Sequence, residues 1–295
     1  MTAASRLADR LARPRILASA ILLLVLALAC FGAPIVAWIL GQDASAVDLY
    51  ARLQGPSLSH PLGTDELGRD QLLRLLQGGQ ISLLVGLCAA FGAAILGTGI
   101  GLLAGYRGGP LDAFLMRLTD GVIALPLLPL LIVLAALDLR KFGVPPALAD
   151  GDATSLYRIV LIIALLGWTT VARLVRGAAL SLKSREFVRA AVALGASERR
   201  VMLVHILPNL LSPIIVATTL SVGNVILLES VLSFLGLGIQ PPLPSWGNML
   251  SRAEDAINLA PQLALWPGLL IFLTVIACNF LGDGLQDALD PRGAD

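Results

Sequence analysis

Few side chains in this sequence have the type and spacing to do chemistry. His60, Asp65 and Asp70 could be imagined as metal ligands or as an acid–base group. One histidine among scattered aspartates falls short of a ligand set, and the plainer reading has Asp65 and Asp70 capping turns or a short interfacial helix that starts near Gly68. His205 reads as a polar residue at a membrane edge. Cys30, Cys88 and Cys278 are far apart, each inside an apolar run, with neither disulfide nor metal-site spacing. A phosphate-cradling loop ends in Gly-Lys-Ser or Gly-Lys-Thr, yet the only lysines, Lys141 and Lys183, follow Arg140 and Leu182. No nucleotide is therefore expected on this chain; if ATP drives the protein, another chain binds it. In the apolar runs no serine–histidine or paired-carboxylate arrangement is visible, which argues against an intramembrane enzyme.

The exception within the runs is Glu229. A carboxylate at mid-bilayer costs about 2.5 to 3.5 kcal/mol on insertion scales, so it must face protein or water. Lining a solute path and bonding a neighbouring helix are both open to it. Asn224 and Asn279 read first as interhelical contacts, with Asn224 kept beside Glu229 as a candidate for the path.

The elements that would hold these residues are membrane spans. Of the residues 57% are hydrophobic and 14% charged, and mean hydropathy is +0.84, whereas soluble domains carry about 25% charged residues. A net charge of +1 suggests no nucleic acid partner. A spanning helix needs about 20 apolar residues. Six candidates occur: Ile16 to Leu40, Ile81 to Gly105, Val122 to Leu137, Leu156 to Leu174, Leu210 to Leu228 and Leu263 to Leu281. The third is short and holds Pro126 and Pro129, so an earlier start near Leu118 and a kink are expected. In the fourth, Arg158 and Arg173 lie near the ends, where they can snorkel. Gly97, Gly101 and Gly105 recur at four-residue spacing, which suits close helix packing. The run after Arg10, Arg13 and Arg15 is longer than a signal-peptide core, so it reads as an uncleaved first span.

With the N-terminus inside, fourteen basic residues fall on the cytoplasmic side (Arg6, Arg10, Arg13, Arg15, Arg107, Arg117, Arg173, Arg176, Lys183, Arg185, Arg189, Arg199, Arg200 and Arg292) and seven outside. The positive-inside rule then puts both termini in the cytoplasm. The most basic connection contains an amphipathic stretch, Arg185 to Gly195. On a helix its Phe187, Ala191 and Leu194 share one face, and Gly195 supplies a left-handed terminus. Ser197 can cap a second helix that runs to Ile206, before Pro208.

Several motifs resemble one family. Glu186, Ala190, Ala191, Gly195 and Leu207-Pro208 match the E-x-x-x-A-A, G and L-P positions of the cytoplasmic loop in permeases of bacterial ATP-binding-cassette importers. His60-Pro61-Leu62-Gly63-Thr64-Asp65 with Gly68-Arg69-Asp70, Leu232 to Gly238 with Pro241-Pro242 and Ser245-Trp246-Gly247, and Asn279 to Asp283 with Leu289-Asp290-Pro291-Arg292 are similar to the second permease subunit of the dipeptide, oligopeptide and nickel subfamily. Gln80 and Gln286 stand where that subfamily usually has arginine.

The resemblance implies an all-α polytopic membrane protein of the type I importer permease fold, with about six transmembrane helices. It divides into a cytoplasmic N-terminus (1–15), a first transmembrane helix (16–40), an extracytoplasmic segment (41–80), a permease domain (81–284) holding a coupling loop (181–209), and a cytoplasmic tail (285–295). It implies a bacterial cytoplasmic membrane, a homologous second permease, two P-loop ATPase subunits that use ATP and magnesium, and an extracytoplasmic solute-binding protein. Residues expected to couple to the ATPase are Glu186, Phe187, Ala190, Ala191, Leu194, Gly195, Leu207 and Pro208. Peptides, nickel chelates or other small solutes are the expected cargo. An ion-coupled secondary transporter is the alternative, and Glu229 is its only support.

Overall fold

The computed structural model describes residues 13–143, 145, 151 and 153–289. Arg6, Arg10 and the Asp290-Pro291-Arg292 motif lie outside the described residues. With no water in lipid, each backbone N–H and C=O must be paired within the protein, so long apolar runs become helices. In chain order these are α1 (Pro14–Phe31), α2 (Ala33–Leu40), α3 (Gln71–Arg107), α4 (Gly109–Ala124), α5 (Leu127–Ala135), α6 (Thr154–Lys183), α7 (Glu186–Ala193), α8 (Glu198–Phe234), α9 (Trp246–Asp255) and α10 (Gln262–Leu289). Five are long and apolar enough to cross a membrane, and the bent pair α4–α5 makes a sixth if counted as one span. No strand occurs among the described residues.

Two expected spans are interrupted. The first breaks at Gly32, because Pro34 has no N–H to offer the Cys30 carbonyl. That oxygen accepts a capping backbone N–H at the end of α1 and, at 2.7 Å, a hydrogen bond from the Gln80 side chain. The third starts at Gly109, not near Leu118, and turns by 86° between α4 and α5. Leu125 is extended before Pro126, as the ring of a following proline demands. The result is a break, sharper than the kink expected from the prolines.

Other elements are longer than their apolar cores. α3 starts ten residues before Ile81, so the 41–80 segment is helical over its last part. The helix after Ser197 does not stop before Pro208. It continues through a π-helical stretch, Val201–Ile206, in which Leu207 N–H bonds to the Met202 carbonyl. The wider π turn makes room for the Pro208 ring against the preceding turn, and α8 runs unbroken for 37 residues.

The centre of the bundle is the contact between α3 and α6. An added Cβ at Gly97 would lie 2.5 Å from the Trp168 carbonyl oxygen, and one at Gly105 would lie 2.8 Å from that of Arg176. At Gly101 it would strike the Ala172 carbonyl. The glycines thus bring the two backbones together, as their spacing suggests. Around this seam, Val85, Ala89, Ile159 and Ile163 join Val225 and Ile226 of α8 in the main core.

Gly101→Val should destabilise the protein by about 1–3 kcal/mol through overpacking. Gly99→Val, where an added Cβ meets nothing within 4 Å, should leave it folded as before. Melting of the two purified variants in detergent checks the contrast; equal melting temperatures would show that the seam is not tight.

Candidate functional site

At one end of the bundle, α7 and the first turns of α8 form an elbow. Gly195 between them has φ of +84°. Its N–H bonds to the Val192 carbonyl at 2.9 Å, and that of Ala196 to the Ala191 carbonyl at 3.0 Å. This is the paired helix ending that a left-handed glycine permits. Ser197 opens the next helix without a side-chain cap, so the cap expected there is not made. Glu198 instead pairs with Arg107 of α3 at 3.1 Å.

Helix α7 has two faces. Val188 and Ala191 are buried at 1% and 9% exposure, Val188 in a cluster with Leu102 of α3, Val175 and Ala179 of α6, and Val201, Ile206 and Leu210 of α8. Glu186, Phe187, Ala190 and Leu194 are exposed, Leu194 to 88%. Ala191 therefore belongs to the inner face rather than sharing an outer one with Phe187 and Leu194. Sequence periodicity could not decide this, since Ala191 is a helical neighbour of both sets and only the covering core assigns it. Leu207 is half-buried beside the same cluster, and Pro208 lies inside the continuous helix.

The elbow end is also tied by ions. Arg176 of α6 grips Asp112 of α4 with two hydrogen bonds, at 2.5 and 2.7 Å. Arg173 bonds to Asp120, and Lys183 donates to the Tyr106 carbonyl while lying over its ring.

At mid-depth, the break between α4 and α5 opens a cleft of about 280 Å³. Its walls are apolar, Ile123, Leu131 and Leu166 among them, with four neutral polar side chains: Thr169 and Thr170 of α6, and Ser221 and Asn224 of α8. No charged residue lines it. Asn224 is exposed, and its amide has no hydrogen-bond partner among the described residues. Its face is thus open to the cleft rather than committed to a neighbouring helix.

Glu229 is not in that cleft. It is fully buried, with Ser82 donating to one carboxyl oxygen at 3.1 Å and Ser233 to the other at 2.6 Å. The arrangement is a hydrogen-bonded contact between α3 and α8, and Glu229 does not line the cleft.

At the opposite end of the bundle the residues with metal-like types are all engaged in structure. Asp70 caps α3 through Leu73 N–H at 2.8 Å and meets His60 Nδ1 at 3.0 Å. Asp65 accepts from the N–H groups of Leu67 and Arg69 and pairs with the Arg69 side chain. Glu66 bridges Arg69 and Arg252. Among the described residues no group of three or more metal-ligating side chains forms. Sequence reading missed α9, which opens with a capping box between Ser245 and Asn248. The signal was there, a serine three residues before an asparagine, but the adjacent prolines masked it.

Residues 97–294 match the family described as binding-protein-dependent transport system inner membrane component. The chain is 44% identical over 241 residues to a dipeptide transport system permease protein of Alkalihalophilus pseudofirmus, covering 82% of this chain and 75% of the relative. It is 41% identical over 256 residues to a glutathione transport system permease protein of Pectobacterium atrosepticum, and 42% identical to that of Escherichia coli O157:H7, with 86% of this chain and 80% of each relative covered. A long-helix bundle, its apolar spans and a family match over most of its length lead to one conclusion: the chain belongs to the binding-protein-dependent transport system inner membrane components, the permease subunits of bacterial ATP-binding-cassette importers.

Proposed function

We propose that this permease works beside a homologous second permease in a complex with two P-loop ATPase subunits, one of them seated on the outward face of α7, and with a solute-binding protein on the opposite side. The observation that carries the reading is the two-faced α7. One face is locked into the chain's own core, and Glu186, Phe187, Ala190 and Leu194 are left free for a groove on a partner, in the helix-in-groove manner. ATP and magnesium belong to those partners. Closure of the ATPases pushes α7; its core face passes the push to α6 and α8, and the cleft is exposed to alternate sides. The elbow end is cytoplasmic and both termini are inside, an orientation supported by the basic residues gathered there.

The cargo is a peptide or a related small solute, supported by the dipeptide and glutathione named for its relatives. A cleft that meets its solute with hydroxyl and amide groups suits the amide backbone of a short peptide. Nickel chelates draw no support from the cleft, which offers neither carboxylate nor imidazole. The secondary-transporter alternative loses its one support, because Glu229 is enclosed by serines away from the cleft.

Ala190→Arg leaves the buried face of α7 intact and puts a long charged side chain into the outward one. ATPase pull-down and solute uptake should fall by at least about fivefold, the factor that the lower end of 1–3 kcal/mol of overpacking gives. Unchanged pull-down and uptake would remove α7 as the docking element. Ala191→Arg is the poorer test, since it also disrupts the chain's own packing.

Orientation is checked with an impermeant thiol reagent on intact cells, in a variant lacking the native cysteines. Ser57→Cys should react and Ser184→Cys should be protected; both positions are exposed on the protein surface. The reverse pattern would invert the topology.

Asn224→Ala should raise the KM for uptake about two- to tenfold, the worth of one neutral hydrogen bond, with subunit assembly unchanged. Uptake identical to wild type would take Asn224 out of the path.

A further inference from the structure

A buried carboxyl that touches neither the cleft nor a cation calls for another role. Glu229 lies near one end of α8, where Gly86 of α3 packs on Ile226 and Val222 of α8, and it accepts hydrogen bonds from Ser82 on α3 and Ser233 on α8 itself. Each of these hydroxyls also accepts a backbone N–H from the chain that follows α8. Trp246 N–H donates to Ser82 Oγ at 3.2 Å, and Ile239 N–H to Ser233 Oγ at 2.9 Å. The serines thus give their single protons to the carboxyl and their lone pairs to residues 239–246.

The same segment is pinned elsewhere. Trp246 Nε1–H donates to the Leu75 carbonyl at 3.0 Å, Gln240 N–H to Ser155 Oγ of α6 at 3.2 Å, and Asn248 Nδ2 to the Ile239 and Leu243 carbonyls. Gly247 lets α9 lie flush on α8, since an added Cβ there would be 2.6 Å from Ser230 Cα. The outcome is a clasp with Glu229 at its centre. A carboxylate suits the place because both hydroxyls point protons at it. Glutamine would turn an NH2 group toward one of them and leave a donor without an acceptor.

The far end of α8 is the elbow. A continuous helix of 37 residues, about 55 Å long at 1.5 Å per residue, joins the clasp to the Gly195 turn. We infer that the Glu229–Ser82–Ser233 clasp makes residues 235–255 and α8 one mechanical body, so that the docking of a solute-loaded binding protein on this end is transmitted along α8 to the ATPase-facing elbow. The inference rests on the orientation and docking proposed above. Glu229 is in this view a positioning residue and never meets the solute.

The test uses the whole transporter in liposomes, measuring ATP hydrolysis with and without solute-loaded binding protein. Ser233→Ala, Ser82→Ala and Glu229→Gln should assemble and keep basal hydrolysis, while stimulation by the loaded binding protein falls about fivefold, the factor one net hydrogen bond carries. Combining Ser82→Ala with Glu229→Gln should cost little beyond the larger single effect, as members of one network do. A purely structural role would lower assembly, basal and stimulated hydrolysis together and leave their ratio unchanged. Wild-type stimulation ratios in the serine variants would overturn the inference, and those variants decide it even if Glu229→Gln fails to assemble. Ala190→Arg separates the two proposals. If it uncouples while the clasp variants respond like wild type, only the clasp is wrong. If it stays coupled, the docking reading is wrong, and transmission to the elbow falls with it whatever the ratios of the clasp variants.

Discussion

The close approach of α3 and α6 along Gly97, Gly101 and Gly105 is the contact from which the rest of the fold hangs. In lipid there is no hydrophobic drive between helices, so association relies on van der Waals packing, which glycine allows at backbone range. Once these two helices are fixed, each end of α3 carries something. Asp70 at its start anchors the 41–70 segment through His60, and Leu75 and Ser82 receive Trp246. Leu102 near its end enters the cluster that seats α7.

Most polar groups within the apolar bundle are held by partners or open to a cavity, the buried Nε of Arg158 in α6 being an exception among the described residues. Gln80 adds a second donor to the Cys30 carbonyl at the break before Pro34, and Ser82 and Ser233 donate to Glu229. Thr218, Ser221 and Thr274 return their hydroxyls to the carbonyl four residues back in their own helices, which hides the donor without a second helix. Asn224 lines the cleft with Thr169, Thr170 and Ser221, and its amide, unlike the Ser221 hydroxyl, is not returned to its own helix. The arginine-to-glutamine departure at position 80 also acquires a local meaning: an uncharged amide fits a carbonyl between packed helices with less desolvation than a guanidinium.

Much of this could be read from sequence where a single helix carries the signal. The cores of α3, α6, α8 and α10 follow from apolar length, the seam from glycine spacing, and the Gly195 turn from the one residue type that takes its backbone angle without strain. What escaped depends on distant partners. Ser82 and Glu229 are 147 positions apart, and Ser82 and Trp246 are 164, so nothing local shows that a carboxyl in an apolar run is already satisfied. The buried side of α7 escaped for the same reason, being set by residues of three other helices. At Pro126 the prolines were visible, but proline spacing alone does not distinguish a kink from a break of 86°.

The π-helical stretch Val201–Ile206 also sets a phase. A π bulge accommodates one more residue than an α-helix over the same turn, and each residue of an α-helix rotates the next by about 100°. The elbow is therefore turned about the axis of α8, relative to the membrane face of that helix, by roughly the angle of one residue. An evolutionary deletion within this stretch would keep every apolar run intact yet swing α7 a quarter-turn or more around the rod, away from Leu102 and Val175. Insertions and deletions should accordingly be far less tolerated here than in the loops, even though no residue of the stretch lines the cleft between α4, α5, α6 and α8.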